Sequence, residues 1–116
     1  MNQTSNTYDV LDNKIIFQNG EEVTFDYPIG ETLDFKDAIV LRLKLPSGVI
    51  FNENVFGLSH NGKILWQISK QKHIDDDSPY TQLSYQNNKA GLYNWDASLY
   101  IIEPTTGKVI EERFLK

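Results

Sequence analysis

The chain has no cysteine among its 116 residues, which excludes disulfide frameworks, thiolate zinc sites and cysteine nucleophiles together. No apolar run approaches the roughly 18 residues that a membrane span requires. The opening Met1-Asn-Gln-Thr-Ser-Asn-Thr-Tyr8 carries neither the basic patch nor the apolar stretch of a secretory signal. A cytoplasmic location without membrane contact is therefore expected. Histidine is scarce, with only His60 and His73, and there is no Gly-x-Ser-x-Gly elbow. No window repeats apolar residues at helical spacing.

What is present suits a packed core. Hydrophobic residues make up 40% of the chain and aromatics 12%, well above the range of disordered segments. The length fits one domain, which can bury roughly two-thirds of its unfolded surface without a metal or disulfide staple. We expect a single all-β domain over residues 1–116, with 1–12 loosely ordered.

The net charge of −5 is unevenly spread. Asp9, Asp12, Glu21, Glu22, Asp26, Glu31, Asp34 and Asp37 face only Lys14 and Lys36 in the first 37 residues, whereas acids and bases nearly balance afterwards. Phosphate binding needs lysine and arginine, so nucleic acid is not an expected partner. A basic protein is, because an acidic surface steers such a partner inward.

Turn signals divide the chain into strands. The stretch Asn54-Val-Phe-Gly-Leu-Ser-His-Asn-Gly62-Lys-Ile-Leu-Trp66-Gln-Ile68 recurs loosely as Ser98-Leu-Tyr-Ile-Ile-Glu-Pro-Thr-Thr-Gly107-Lys-Val-Ile110. Each copy is an apolar run, a polar turn ending in Gly-Lys, and a second apolar run. This is a β-hairpin pattern, since glycine supplies the positive φ of a tight turn. Asn19-Gly20 joins Lys14–Gln18 to Glu21–Tyr27 in the same way. Pro28-Ile-Gly30 precedes a short Thr32–Phe35 segment. In Ile39–Leu45 the residues Ile39, Leu41, Leu43 and Leu45 form a core face, with Arg42 and Lys44 facing water. Trp66 alternates with Ile64 and Ile68, and Leu83 with Tyr85 along Tyr80–Gln86. Ser69–Pro79 is polar and aperiodic and reads as a surface loop. Turns every eight to twelve residues predict an antiparallel meander of eight to ten strands, wound into a β-sandwich or half-closed barrel.

The two hairpins, with Thr106-Gly107-Lys108 in one and Gly62-Lys63 followed by Trp66 in the other, resemble blade motifs of quinoprotein-type β-propellers. The likeness covers about a quarter of the chain and implies antiparallel pairing. A propeller needs four or more four-stranded blades, for which the chain is too short, and no quinone or metal set carries over. The whole chain also resembles small uncharacterised bacterial and phage β proteins with an "NVFG…NGKILWQI…YNWD…TGK" pattern.

Few residues suggest chemistry. His60 falls in a turn beside Ser59 and Asn61 and is expected to be solvated. His73-Ile-Asp75-Asp76-Asp77-Ser78 joins an imidazole to three carboxylates, yet it lacks the alternating acids, central glycine and closing glutamate of a calcium loop. Neither a metal nor any other cofactor is expected. Lys70, Lys72 and His73 on one side and Asp75, Asp76 and Asp77 on the other would make a two-signed rim for a partner. Glu111 and Glu112 are adjacent on a strand and project to opposite faces. Tyr93 and Trp95 share a face opposite Leu92 before a turn, a place that suits core packing or an exposed anchor.

We therefore expect a non-enzymatic protein-binding domain, an inhibitor or immunity-type protein masking a bacterial or phage-related partner. The candidate contacts are Glu21, Glu22, Asp26, Lys72, His73, Asp75, Asp76, Asp77, Tyr93 and Trp95. A small-molecule or glycan-binding module using Tyr93, Trp95 and Ser69–Pro79 is a second reading. An accessory protein pairing through edge strands, including with copies of itself, is a third.

Overall fold

The computed structural model describes residues 8–73 and 76–115. These form eleven strands: β1 (Tyr8–Leu11), β2 (Lys14–Phe17), β3 (Glu22–Thr24), β4 (Ile29–Asp34), β5 (Ile39–Leu43), β6 (Val55–Leu58), β7 (Ile64–Gln67), β8 (Tyr80–Gln86), β9 (Lys89–Asn94), β10 (Ser98–Ile102) and β11 (Val109–Phe114). Among the described residues no helix is long and apolar enough to cross a membrane.

The strands make three antiparallel sheets, each a meander in chain order: β1-β2-β3, then β4-β5-β6-β7, then β8-β9-β10-β11. The turns follow from local chemistry. Gly20, Gly62 and Gly107 have φ of 89°, 95° and 74°, and Asn87 and Asn88 have φ of 52° and 67°, the pair of positive values a two-residue hairpin turn demands.

The middle sheet is packed on both faces. Ile39, Leu41, Leu43 and Leu58 join Tyr8, Ile15, Phe17 and Phe25 of the first sheet and its flank in one core. Val40, Val55, Trp66 and Ile68 join Tyr80, Leu83, Leu92, Tyr100 and Ile102 of the third sheet and its flank in another. Burying each such side chain contributes roughly 1.5–3 kcal/mol, so β5 is stabilised from both sides.

The expected all-β antiparallel fold is present, as three layered sheets and no closed barrel, and the expected eight to ten strands are corrected to eleven among the described residues. The extra strand is β1, inside the stretch expected to be loosely ordered. Tyr8 anchors it, donating to Asp34 Oδ1 at 2.5 Å and lying 3.0 Å from Thr32 Oγ1. Residues 1–7 lie outside the described residues. The antiparallel structure stands, but no propeller is seen.

Two face assignments also change, the first of them beside a register shift. A bulge between Gly57 and Leu58 leaves Ile64 exposed while Trp66 and Ile68 stay buried. A second shift between Tyr80 and Gln82 marks β8. There Leu83 is buried while Tyr85 is exposed, its ring edge-on to Phe35 at 5.3 Å. Arg42, expected in water, is half-buried and donates from Nε to Glu31 Oε1 at 2.8 Å. Lys44 is exposed.

Candidate partner-binding site

Hairpin topology places the β5–β6 connection, the β7–β8 connection and the β9–β10 turn at one end of the molecule. The last of these is the tight turn Asn94–Ala97, closed by Ala97 N donating to Asn94 O at 3.1 Å. Asn94 Oδ1 accepts from Asp96 N at 3.0 Å and Asp96 Oδ1 from Ser98 N at 3.1 Å, so side chains cap the turn's own amides. Ala97 closes it at φ 70°, where glycine is the usual residue. Trp95 rides on this turn with 67% of its surface exposed.

The β7–β8 connection is polar and aperiodic, but its described residues are held firmly. Asn52 Nδ2 donates to Asp76 O at 2.6 Å, and Ser78 N donates to Asn52 Oδ1 at 2.9 Å. Buried Asn54 donates to Leu43 O and Tyr80 O at 2.9 and 3.0 Å and accepts from Tyr80 N at 2.9 Å. Asn94 Nδ2 reaches Ser78 O at 2.8 Å, and Trp95 N reaches Pro79 O at 3.0 Å. A buried amide with its bonds satisfied fixes one conformation, because leaving any of them unmade is expensive.

His73 completes this fastening. Its Nδ1 lies 2.9 Å from Asp96 Oδ2, and the two side chains are only 4% and 3% exposed. The imidazole packs edge-on against Tyr80 and Tyr100, with ring centroids at 6.2 and 5.9 Å. Burial pushes the Tyr100 hydroxyl up to about 12, with Asp96 and Glu112 adding to the effect. Burial, then the Tyr100 charge, raises Tyr80 further still. Among the described residues the buried Tyr80 Oη has no hydrogen-bond partner. The second histidine is not the solvated turn residue expected, since His60 Nε2 donates to Phe35 O at 2.7 Å.

Between the fastened connections runs an open groove of about 550 Å³, lined by Leu45, Pro46, Val49, Asp77, Pro79 and Trp95 with Ser47 and Gly48. Its lining is mostly apolar, and the Asp77 carboxylate stands on it. Of the candidate contacts, the fold brings Asp77 and Trp95 together here. Asp76 and Lys72 are exposed in the same connection, and Asp75 lies outside the described residues. Asp26 is exposed in the β3–β4 connection; next to it, Tyr27 packs against Phe51 with ring centroids at 5.9 Å and Pro28 O accepts from Lys44 N, so this carboxylate lies at the same end of the molecule as the β5–β6 connection.

Other candidates are elsewhere. Glu21 sits by the turn at the opposite end, where a Cβ on Gly62 would lie 2.8 Å from its own. Glu22 pairs with Lys14 at 3.2 Å on the first sheet. Tyr93 is half-buried on the third sheet, opposite Leu99. His73 points inward to Asp96 and holds the loop, leaving no side chain at the rim. Among the described residues no cluster of three histidine or acidic side chains is arranged to hold a metal.

The holding residues Asn52, Asn54, Asn94 and Asp96 were not singled out from sequence. The signal available was the spacing Asn52-x-Asn54 and Asn94-x-Asp96, on either side of a polar connection. A model of a domain of unknown function, DUF7957, matches residues 5–114. The chain belongs to that family. The match spans all eleven strands, so the groove and its fastenings lie within the DUF7957 domain. No curated protein and no solved structure matches the chain.

Proposed function

We propose that this DUF7957 protein is a non-enzymatic binding domain that docks a partner protein on the Trp95 end. One observation carries the reading: a large aromatic side chain is left in water on a turn that its neighbours hold rigid. Exposed tryptophans on pre-ordered walls are the residues from which interfaces draw most of their energy. Leu45, Pro46, Val49 and Pro79 supply apolar area beside it. Asp77 on the rim, with Asp12, Asp26 and Asp76 exposed in neighbouring connections, outweighs Lys44, Lys70 and Lys72. A basic partner surface suits that balance. Covering a basic surface on a target is one way in which an inhibitor or immunity-type protein works, and we assign this domain to that type with a bacterial or phage-related target.

Parallel affinity capture from cells of the source, using the wild-type chain, Trp95→Ala and Lys89→Ala, tests the reading. A protein held by the wild type and Lys89→Ala but lost by Trp95→Ala is the expected result. Equal retention by all three chains would overturn it. A saturable shift of Trp95 fluorescence with a small molecule or glycan, and none with protein, would favour the ligand-binding module instead.

A further inference from the structure

The edge of the third sheet carries a surface that the groove reading does not use. We propose that β11 pairs with β11 of a second copy of this chain, antiparallel about a two-fold axis through Glu112, joining two sheets into one of eight strands.

The backbone settles which groups are available. Leu115 N donates to Ala97 O at 2.8 Å, and Arg113 stands opposite Leu99 and Glu112 opposite Tyr100. In an antiparallel ladder successive residues alternate in direction. Arg113 and Leu115 therefore turn their amides and carbonyls toward β10, and Glu112 and Phe114 turn theirs outward. The outward groups form a ready template for another strand.

The side chains around them are unusually apolar for an open edge. Phe114 is 59% exposed, and Ile110 and Leu115 are about half exposed. A shift between Ile101 and Ile102 places a bulge at Ile110, which leaves Glu111 to Leu115 as the straight part of the strand.

Sequence then selects the register. A two-fold pairing that matches outward backbone groups must place its axis on one residue. An axis at Arg113 sets two guanidiniums face to face and puts Glu112 opposite Phe114. An axis at Glu111 puts Ile110 opposite Glu112. Only an axis at Glu112 sets Arg113 of each copy opposite Glu111 of the other within the straight part, with Phe114 directed toward the bulge that carries Ile110. Opposite charges and apolar pairs at facing positions each stabilise a sheet. Within one copy Arg113 Nε already bonds Glu111 Oε2, so the four side chains close into one network on one face. The unfavourable element is Glu112 facing its own copy across the axis. A two-fold contact uses the same patch twice and stops at the dimer.

Sedimentation of the full chain over a concentration series tests this. The mass should climb from 13.4 kDa toward twice that value. Arg113→Glu should weaken association more than about ten-fold, because it reverses two facing pairs, and Glu111→Arg with Arg113→Glu should restore it. Glu112→Gln should tighten it by up to about five-fold. Glu112→Pro, which removes an outward N–H not used within one copy, should leave a monomer with an unchanged far-ultraviolet spectrum. Trp95→Ala should dimerise like the wild type, which keeps this result separate from the docking reading. A wild-type mass fixed at the monomer up to millimolar concentration would overturn the proposal. So would equal association by Arg113→Glu or Glu112→Pro.

Discussion

The hairpins β6–β7 and β10–β11 follow a loosely repeated pattern and each ends in an edge strand, yet β7 buries Trp66 against the third sheet whereas β11 buries none of its side chains. Both run an apolar strand into a Gly-Lys turn at Gly62 and Gly107. In the first, Trp66 turns toward the third sheet and its indole Nε1 donates to Pro104 O in the turn of the second hairpin at 2.7 Å. It is wedged between backbones: a Cβ at Gly57 would lie 2.1 Å from Nε1, and one at Gly107 would lie 2.6 Å from the ring. In the second, Glu111 occupies the place matching Trp66 and stays in water. A hairpin's fate is set by whether a further layer covers it, not by its turn. The middle sheet has layers on both sides; the third sheet has one.

The sharpest way to break this comparison is to truncate matching strands. Trp66→Ala should destabilise the fold by about 3–5 kcal/mol in denaturant titration, for lost burial and a cavity. At concentrations that keep the chain monomeric, Phe114→Ala should change it by less than about 0.5 kcal/mol, as exposed positions do. Comparable losses at the two sites would mean that β11 is covered in solution by something beyond this chain, the second copy included.

Substitution at the glycines comes next in size. Gly107→Ala should cost about 1–3 kcal/mol by overpacking the indole, in addition to strain at φ 74°. Gly20→Ala meets nothing within 4 Å at φ 89°, so it should cost only the conformational part, about 1–2 kcal/mol. The difference between the two isolates the contact with Trp66.

Alkaline pH separates the buried tyrosines, Tyr100 on β10 among them, from the exposed Tyr85 on β8. Tyr100 on β10 titrates at about 12 rather than 10.0, chiefly through burial. Its folded value lies above the unfolded one, so its contribution is complete below pH 10 and is lost as pH rises through about 12. Tyr85 is exposed. Absorbance at the phenolate band should show Tyr100, Tyr80 and Tyr8 ionising late and together with unfolding. Early ionisation of all six tyrosines before any unfolding would contradict the burial of β10.

The smallest effect lies in the Trp95 turn. Ala97→Gly should stabilise by about 0.5–1 kcal/mol, by relieving a positive φ that alanine tolerates poorly. No change would mean that the turn relaxes more easily than its capping bonds suggest.

Much of the fold was legible because turn chemistry and period-two patterning are local. Asn19-Gly20, Gly62-Lys63 and the β5 strand could be placed from residues within reach of one another. The two buried faces of β5 could not: Val40 reads as the polar side of an alternation until a third sheet is known to cover it. β1 was missed because its anchor, Tyr8 to Asp34, spans the first two sheets. At the candidate site Trp95 and Asp77 were identifiable as types, but their meeting depends on Asn52, Asn54, Asn94 and the His73–Asp96 pair. Buried polar fastenings join distant positions, and residue spacing carries little trace of them.

The most direct measurement is a calorimetric titration of the captured partner against the wild type, Trp95→Ala and the double variant Glu21→Lys with Glu22→Lys, at two salt concentrations. Docking on the Trp95 end predicts a loss of about 2 kcal/mol or more for Trp95→Ala, roughly 30-fold in Kd at either salt. The double variant, altered at the far end, should bind like the wild type. Undiminished affinity for Trp95→Ala together with collapse of the double variant would place the interface on the first sheet and contradict the account.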